Sequence, residues 1–173
     1  MNRRLFLGQS SALFGAALGM PGLARANLNK AQIIVVGGGY GGATAAKYIR
    51  MWSQGSVEVF LIDREPMFVS CPISNLVIGG SKTIEDVTRS RDSLRAYGVQ
   101  VIRDTVTGIN AEKKRVSLTR IEDLPYDKLV LSPGALSIRP PLPGIDLPGI
   151  FEVRTVPDAR AIREWIERGS AFL

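Results

Sequence analysis

Gln32-Ile33-Ile34-Val35-Val36-Gly37-Gly38-Gly39-Tyr40-Gly41-Gly42-Ala43-Thr44-Ala45-Ala46-Lys47-Tyr48-Ile49-Arg50 divides into three parts. It begins as a short apolar run rich in β-branched residues, which suits a parallel strand buried on both faces. Five glycines within six residues follow at once. From Ala43 the chain is small on one face and helix-favouring. The order is strand, glycine turn, helix, and Gly37, Gly39 and Gly42 match G-x-G-x-x-G. Gly37 allows the tight turn, Gly39 lets a pyrophosphate approach the backbone, and Gly42 lets the helix pack close to the strand. Tyr40 and Gly41 lie between them and are counted in the same candidate site. The helix N-terminus would face the phosphates with its free N–H groups and positive dipole end.

A second strand pattern follows, Val57-Glu58-Val59-Phe60-Leu61-Ile62, and ends in Asp63. Asp63 lies 21 residues after Gly42, where an acid grips the ribose hydroxyls of an adenosine half. A carboxylate there fits an unphosphorylated ribose, hence FAD or NAD rather than NADP. Arg64, the next residue, joins Asp63 in the candidate cofactor set. The plainer alternative is a glycine-rich turn in an unrelated α/β protein, with Asp63 closing the strand.

The run Phe68-Val69-Ser70-Cys71-Pro72-Ile73-Ser74-Asn75-Leu76-Val77-Ile78-Gly79-Gly80 is neither a typical strand nor a typical helix. Its cysteine sits 34 residues after Gly37. Together with the glycine turn, this stretch resembles the FAD-binding half of the pyridine nucleotide-disulfide oxidoreductase superfamily. Within it, the nearest resemblance is to flavoprotein subunits of flavocytochrome c sulfide dehydrogenases. It is carried by Val35 to Ile49, by Cys71-x-x-Ser74-Asn75-x-x-Ile78-Gly79-Gly80, and by Leu94-Arg95-Ala96-Tyr97-Gly98-Val99-Gln100-Val101. It covers nearly all of residues 31–135.

The resemblance implies an α/β, Rossmann-like FAD-binding domain with a parallel sheet and a small antiparallel β layer. It implies that Cys71 carries the flavin through an 8α-methyl thioether, and that the backbone at Val106 meets the adenine. Cys71 is the single cysteine, so no disulfide forms within the chain and an unpaired thiol needs an account. A redox thiol, or a buried thiol acting as a small hydrophobe, are the other readings. Tyr126-Asp127-Lys128-Leu129-Val130-Leu131-Ser132-Pro133-Gly134-Ala135 resembles the strand that returns to the FAD sheet. Ser132 and Gly134 enter the site set there, with Gly134 letting the chain pass close to the cofactor.

Elsewhere, Thr83 to Ala96 reads as an amphipathic helix with Thr83 as N-cap and Ile84, Val87 and Leu94 on one side. Arg89, Arg91 and Asp92 then form a solvated face. Val99 to Ile102 reads as a strand, and Val106 to Ile109 with Arg115 to Thr119 as a hairpin. Arg139-Pro140-Pro141-Leu142-Pro143-Gly144 is a stiff linker. Phe151 to Thr155 reads as a strand. Val156 to Arg168 reads as a helix with Ile162 and Trp165 packed inward. This last part resembles coenzyme A-disulfide reductases and NADH oxidases more than flavocytochrome c. Gly169-Ser170-Ala171-Phe172-Leu173 reads as the opening of another strand, with no second glycine motif, so the chain reads as a fragment.

At the other end, Asn2-Arg3-Arg4-Leu5-Phe6-Leu7 is a twin-arginine segment, and Ala24-Arg25-Ala26 fits a small-x-small cleavage site. The apolar stretch between them is glycine-rich and shorter than the about 20 residues of a permanent span. The expected organisation is a Tat signal at 1–26, an FAD-binding domain at 27–138, and a linker with the truncated start of a second nucleotide-binding domain at 139–173. Without residues 1–26 the charge falls to 19 basic against 16 acidic residues, with no basic block, which argues against nucleic acid. The chain has no histidine, so the commonest general base and metal ligand are missing, and no metal site is expected. The resemblance implies an exported, periplasmic FAD-dependent oxidoreductase acting on sulfide or another reduced sulfur compound. Its electrons would pass to a c-type cytochrome, and the catalytic cysteines would lie outside this chain. An NAD(P)H-dependent disulfide or coenzyme A-disulfide reductase, an NADH oxidase, and a non-catalytic dinucleotide-binding redox module are the alternatives.

Overall fold

A computed structural model describes residues 30–170. The twin-arginine segment and Ala171 to Leu173 lie outside the described residues.

Strand β1 (Ala31–Val36) runs into helix α1 (Tyr40–Trp52), and β2 (Val57–Asp63) returns beside β1. Both strands are apolar along most of their length because both faces are covered. Strands β5 (Gln100–Arg103) and β9 (Lys128–Leu131) complete a four-stranded sheet in the order β5-β2-β1-β9. Every pairing in it is parallel, with Val35 opposite Leu61 and Val130.

One face of the sheet packs Val35, Val59 and Leu61 against Ala46 of α1 and against Leu94 and Val99. Leu94 belongs to the short helix α3 (Asp92–Ala96). The other face packs Ile34 and Ile62 against Val116 and Leu118. Those two come from the antiparallel layer β6 (Val106–Asn110), β7 (Arg115–Leu118) and β8 (Leu124–Pro125). The fold is therefore α/β, with a parallel sheet and small antiparallel sheets. The shared N–H and C=O directions of the parallel strands leave their C-terminal ends, at Val36, Asp63, Arg103 and Leu131, along one edge.

Between β2 and β5 the chain departs from the expected helix over Thr83–Ala96. Strands β3 (Phe68–Val69) and β4 (Thr88–Arg89) pair antiparallel. Between them lie the 3-10 turn Cys71–Ile73 and helix α2 (Ser74–Ile78). Thr83 does cap: its Oγ1 accepts from the Asp86 N–H, and its own N–H donates to Asp86 Oδ2. The helix so started is one 3-10 turn, Glu85–Val87, because Val87 is drawn into the interior and the next residues pair with β3.

Beyond β9 the chain is irregular to Thr155, and the strand expected at Phe151–Thr155 is absent from the described residues. Helix α4 (Val156–Ser170) does form and packs on α2, with Arg163 Nη1 donating to the Ile78 carbonyl at 3.4 Å. It includes Gly169 and Ser170, and the rest of the stretch read as a strand opening, Ala171 to Leu173, lies outside the described residues. Trp165 stands exposed and meets Phe151 edge-on, rather than packing into a core.

Candidate functional site

The glycine turn leaves the sheet edge between β1 and α1. Gly37 has φ +97° and donates its N–H to the Ile62 carbonyl at 2.8 Å. A Cβ on Gly37 would collide with the Ser132 carbonyl oxygen, and one on Gly42 with the Gly37 carbonyl oxygen. These two glycines are therefore demanded by the chain's contact with itself. Gly39 differs, because a Cβ added there meets nothing within 4 Å. The space above it is open to a ligand. Gly39 is also the N-cap of α1, which has neither a side-chain cap nor an acid in its first turn. The first N–H groups of a helix lack intrahelical acceptors, so open space and a positive helix end coincide. This arrangement fits a dinucleotide pyrophosphate.

Asp63 closes β2 beside this turn, but it is not a free acid. Its Oδ2 accepts from the Gly38 N–H at 2.8 Å and from Arg91 Nη2 at 2.6 Å, and its Oδ1 from the Glu65 N–H at 3.0 Å. The side chains of Arg91 and Asp63 are 4% and 14% exposed. Arg91 Nη1 donates to the Glu65 carbonyl at 2.6 Å. The reading of Arg91 as part of a solvated face is thus corrected: it is buried against the acid. A carboxylate offers about four acceptor positions, so Asp63 keeps one on Oδ1 for a ribose hydroxyl. No spacing rule points to Arg91, which lies 28 residues past Asp63 and outside the recognised motifs. Arg64 stands exposed at the strand end, with its Nε 3.4 Å from Glu65 Oε1.

The segment carrying Cys71 is moored to the start of α1. The Tyr40 and Ser70 hydroxyls are 2.6 Å apart, and the Tyr40 ring meets Phe68 edge-on with centroids 4.9 Å apart. Cys71 follows Ser70 directly and opens the 3-10 turn with Pro72 behind it. Its side chain is exposed, which removes the reading of a buried thiol acting as a small hydrophobe.

Ser132 donates its N–H to the Val36 carbonyl at 2.8 Å, and its Oγ faces Gly41. Gly134, with φ +78°, turns the chain away, and Arg154 Nε donates to the neighbouring Ala135 carbonyl. Val106 opens β6 two residues after Asp104, whose N–H donates to the Asp63 carbonyl at 3.1 Å. Burial alone would raise the Asp104 carboxyl. The N–H groups of Thr105, Arg120, Ile121 and Thr119 outweigh burial and hold it below the ordinary aspartate value. The structure thus gathers Gly37, Gly39, Tyr40, Gly41, Gly42, Asp63 and Ser132 at one sheet edge. Cys71, Val106 and Gly134 lie around its margin. Among the described residues no group of His, Cys, Asp and Glu could hold a metal ion, and no helix is long and apolar enough to cross a membrane.

Residues 31–169 match the family profile of the pyridine nucleotide-disulphide oxidoreductases. The chain belongs to this family. Members of the pyridine nucleotide-disulphide oxidoreductases are flavin oxidoreductases that bind FAD. The chain is 31% identical over 146 residues to an NADH oxidase of Methanocaldococcus jannaschii, which is 79% of this chain and 32% of that protein. It is 48% identical over 46 residues to a sulfide dehydrogenase (flavocytochrome c) flavoprotein chain of Chlorobaculum thiosulfatiphilum, 27% of this chain and 94% of that sequence. The crystal structure of reduced CoADR-RHD from Bacillus anthracis superposes with a TM-score of 0.68 at 28% identity, over 82% of this chain and 27% of that one. The chain spans about a third of the length of the NADH oxidase it matches.

Proposed function

We propose that this chain is the FAD-holding part of an exported oxidoreductase that oxidises sulfide or another reduced sulfur compound and passes the electrons to a c-type cytochrome. The observation that carries the reading is Cys71, exposed and held through Ser70 and Tyr40 beside the open N-terminus of α1. The match to the Chlorobaculum flavoprotein chain supports the same assignment.

In this reading the N–H groups at the start of α1 hold the pyrophosphate, and the open face of Gly39 admits it. Asp63 fixes the adenosine ribose, with Val106 at the adenine and Ser132 and Gly134 along the returning strand. Cys71 tethers the flavin by a thioether, which keeps it from being lost in the periplasm. The bound flavin supplies two-electron acceptance and one-electron return, and the protein supplies its placement. Export follows from Arg3 and Arg4, and changing both to Lys should leave the precursor in the cytoplasm.

A second reading, an NADH oxidase-type enzyme with an untethered flavin, is favoured by the longer match to the Methanocaldococcus protein. The full-length protein separates the two. After acid precipitation the first reading expects yellow colour on the polypeptide, in a peptide containing Cys71, and anaerobic bleaching by sulfide. Colour released to the supernatant, with bleaching by NADH and not by sulfide, selects the second.

A further inference from the structure

We infer that Arg91 is a positioning residue for the dinucleotide, acting through Asp63; this rests on the cofactor reading given above. Arg91 joins three separate pieces of chain at the sheet edge. Its Nη2 donates to Asp63 Oδ2 at 2.6 Å and lies 3.4 Å from the Gly38 carbonyl, while its Nη1 donates to the Glu65 carbonyl at 2.6 Å. These contacts fix the acid from one side, the loop after it from another, and the middle of the glycine turn from a third.

Packing alone does not account for an arginine here. Arg91 is 4% exposed, and its Nε is buried with no hydrogen-bond partner among the described residues. An apolar side chain of similar volume would fill the space without burying a charge. What an apolar side chain cannot do is hold the Asp63 carboxylate at a fixed angle, with Oδ2 fully engaged and one position on Oδ1 left outward. Gly38 supports the same assignment. It stands outside the G-x-G-x-x-G positions, yet a Cβ there would run into Asp63 Oδ2 and lie 2.9 Å from Arg91 Nη2. Gly38 is small so that the ion pair can lie flat against the turn.

The test uses the full-length protein with Cys71→Ser, so that FAD exchanges freely, and measures FAD affinity of the apoprotein by calorimetric titration. Asp63→Asn and Arg91→Met should each weaken FAD about tenfold, and the double variant should also weaken it about tenfold, because the two residues act as one unit. The double variant buries no charge and should melt close to the parent. Arg91→Lys keeps the positive charge beside Asp63 but not the planar fork that also reaches Gly38 and Glu65, so its FAD affinity should fall between those of the parent and Arg91→Met. Parent-like affinity in Arg91→Met or in Arg91→Lys, or losses that multiply to about a hundredfold in the double variant, would overturn the role of Arg91 while leaving the cofactor site standing. A parent that binds no FAD would overturn both.

Discussion

Gly37 and Gly144 both sit in the left-handed region, at φ +97° and +83°, but their neighbourhoods have little in common. A Cβ on Gly37 would meet the Ser132 backbone carbonyl, which the sheet holds in place. A Cβ on Gly144 would meet Leu147 Cδ1 at 3.2 Å, the end of an exposed side chain that can rotate away. The ion pairs differ in the same way. Arg91 and Asp63 are buried together, whereas Arg139 and Asp146, also 2.9 Å or less apart, are 43% and 91% exposed. Around the glycine turn the chain is constrained by its own backbone and by a buried charge. Over residues 133–155 it is constrained chiefly by surface side chains. The first region can hold a ligand in one geometry, and the second joins elements.

The largest difference between the two regions should appear in the ion pairs. Asp63→Ala leaves Arg91 buried without its partner and should cost about 3–5 kcal/mol of unfolding free energy in urea. Arg139→Ala breaks two exposed pairs, to Asp146 and Glu152, and should cost no more than about 1 kcal/mol. Equal losses would erase the contrast. The glycines come next. Gly42→Ala drives a methyl into the Gly37 carbonyl and should cost about 3 kcal/mol. Gly144→Ala carries only the left-handed strain, about 1 kcal/mol.

The smallest effect depends on acid. Asp104 stitches β5 to the antiparallel layer by accepting from Thr105 and Arg120 N–H groups at 2.7 and 3.0 Å. Its carboxyl is held below the ordinary value of 3.8, so its contribution is complete above that pH and is lost as pH falls through the lowered value. Asp104→Asn should therefore be less stable than the parent at neutral pH, and the gap should narrow below pH 3.8. A gap that stays constant down through the acid range would remove the carboxylate from that joint.

The strand, turn and helix of residues 31–63 were legible in the sequence because each is set by local pattern: a β-branched run, glycines at fixed spacing, a second apolar run ending in an acid. The hairpin of β6 and β7 was legible for the same reason. Arg91 was not, since an arginine before a short helix looks the same whether it meets water or a carboxylate from a distant strand. The single helix read over Thr83–Ala96 failed because Thr88 and Arg89 pair with Phe68 and Val69, a contact between residues about 20 apart that no periodicity records. Phe151–Thr155 has strand-forming residues but no partner strand among the described residues, and Trp165 meets Phe151 at the surface instead of a core. At residues 88–89 a tertiary contact overrode a sound local preference, and at residues 151–155 a strand preference found no strand to pair with.

The open face of Gly39, at the start of α1, is where the pyrophosphate of FAD is expected. Flavin content of the purified full-length protein tests it most directly, in a Cys71→Ser background and with Gly39→Val beside it. A Cβ there meets nothing within 4 Å beyond its own chain neighbours, so the fold should survive a valine while the ligand's approach is blocked. The parent should be flavin-loaded and the Gly39→Val variant folded and colourless, its apo melting temperature lowered by no more than a loss of about 1 kcal/mol at a poorer N-cap accounts for. Equal flavin in both proteins, or a parent that folds and never holds flavin, would contradict it.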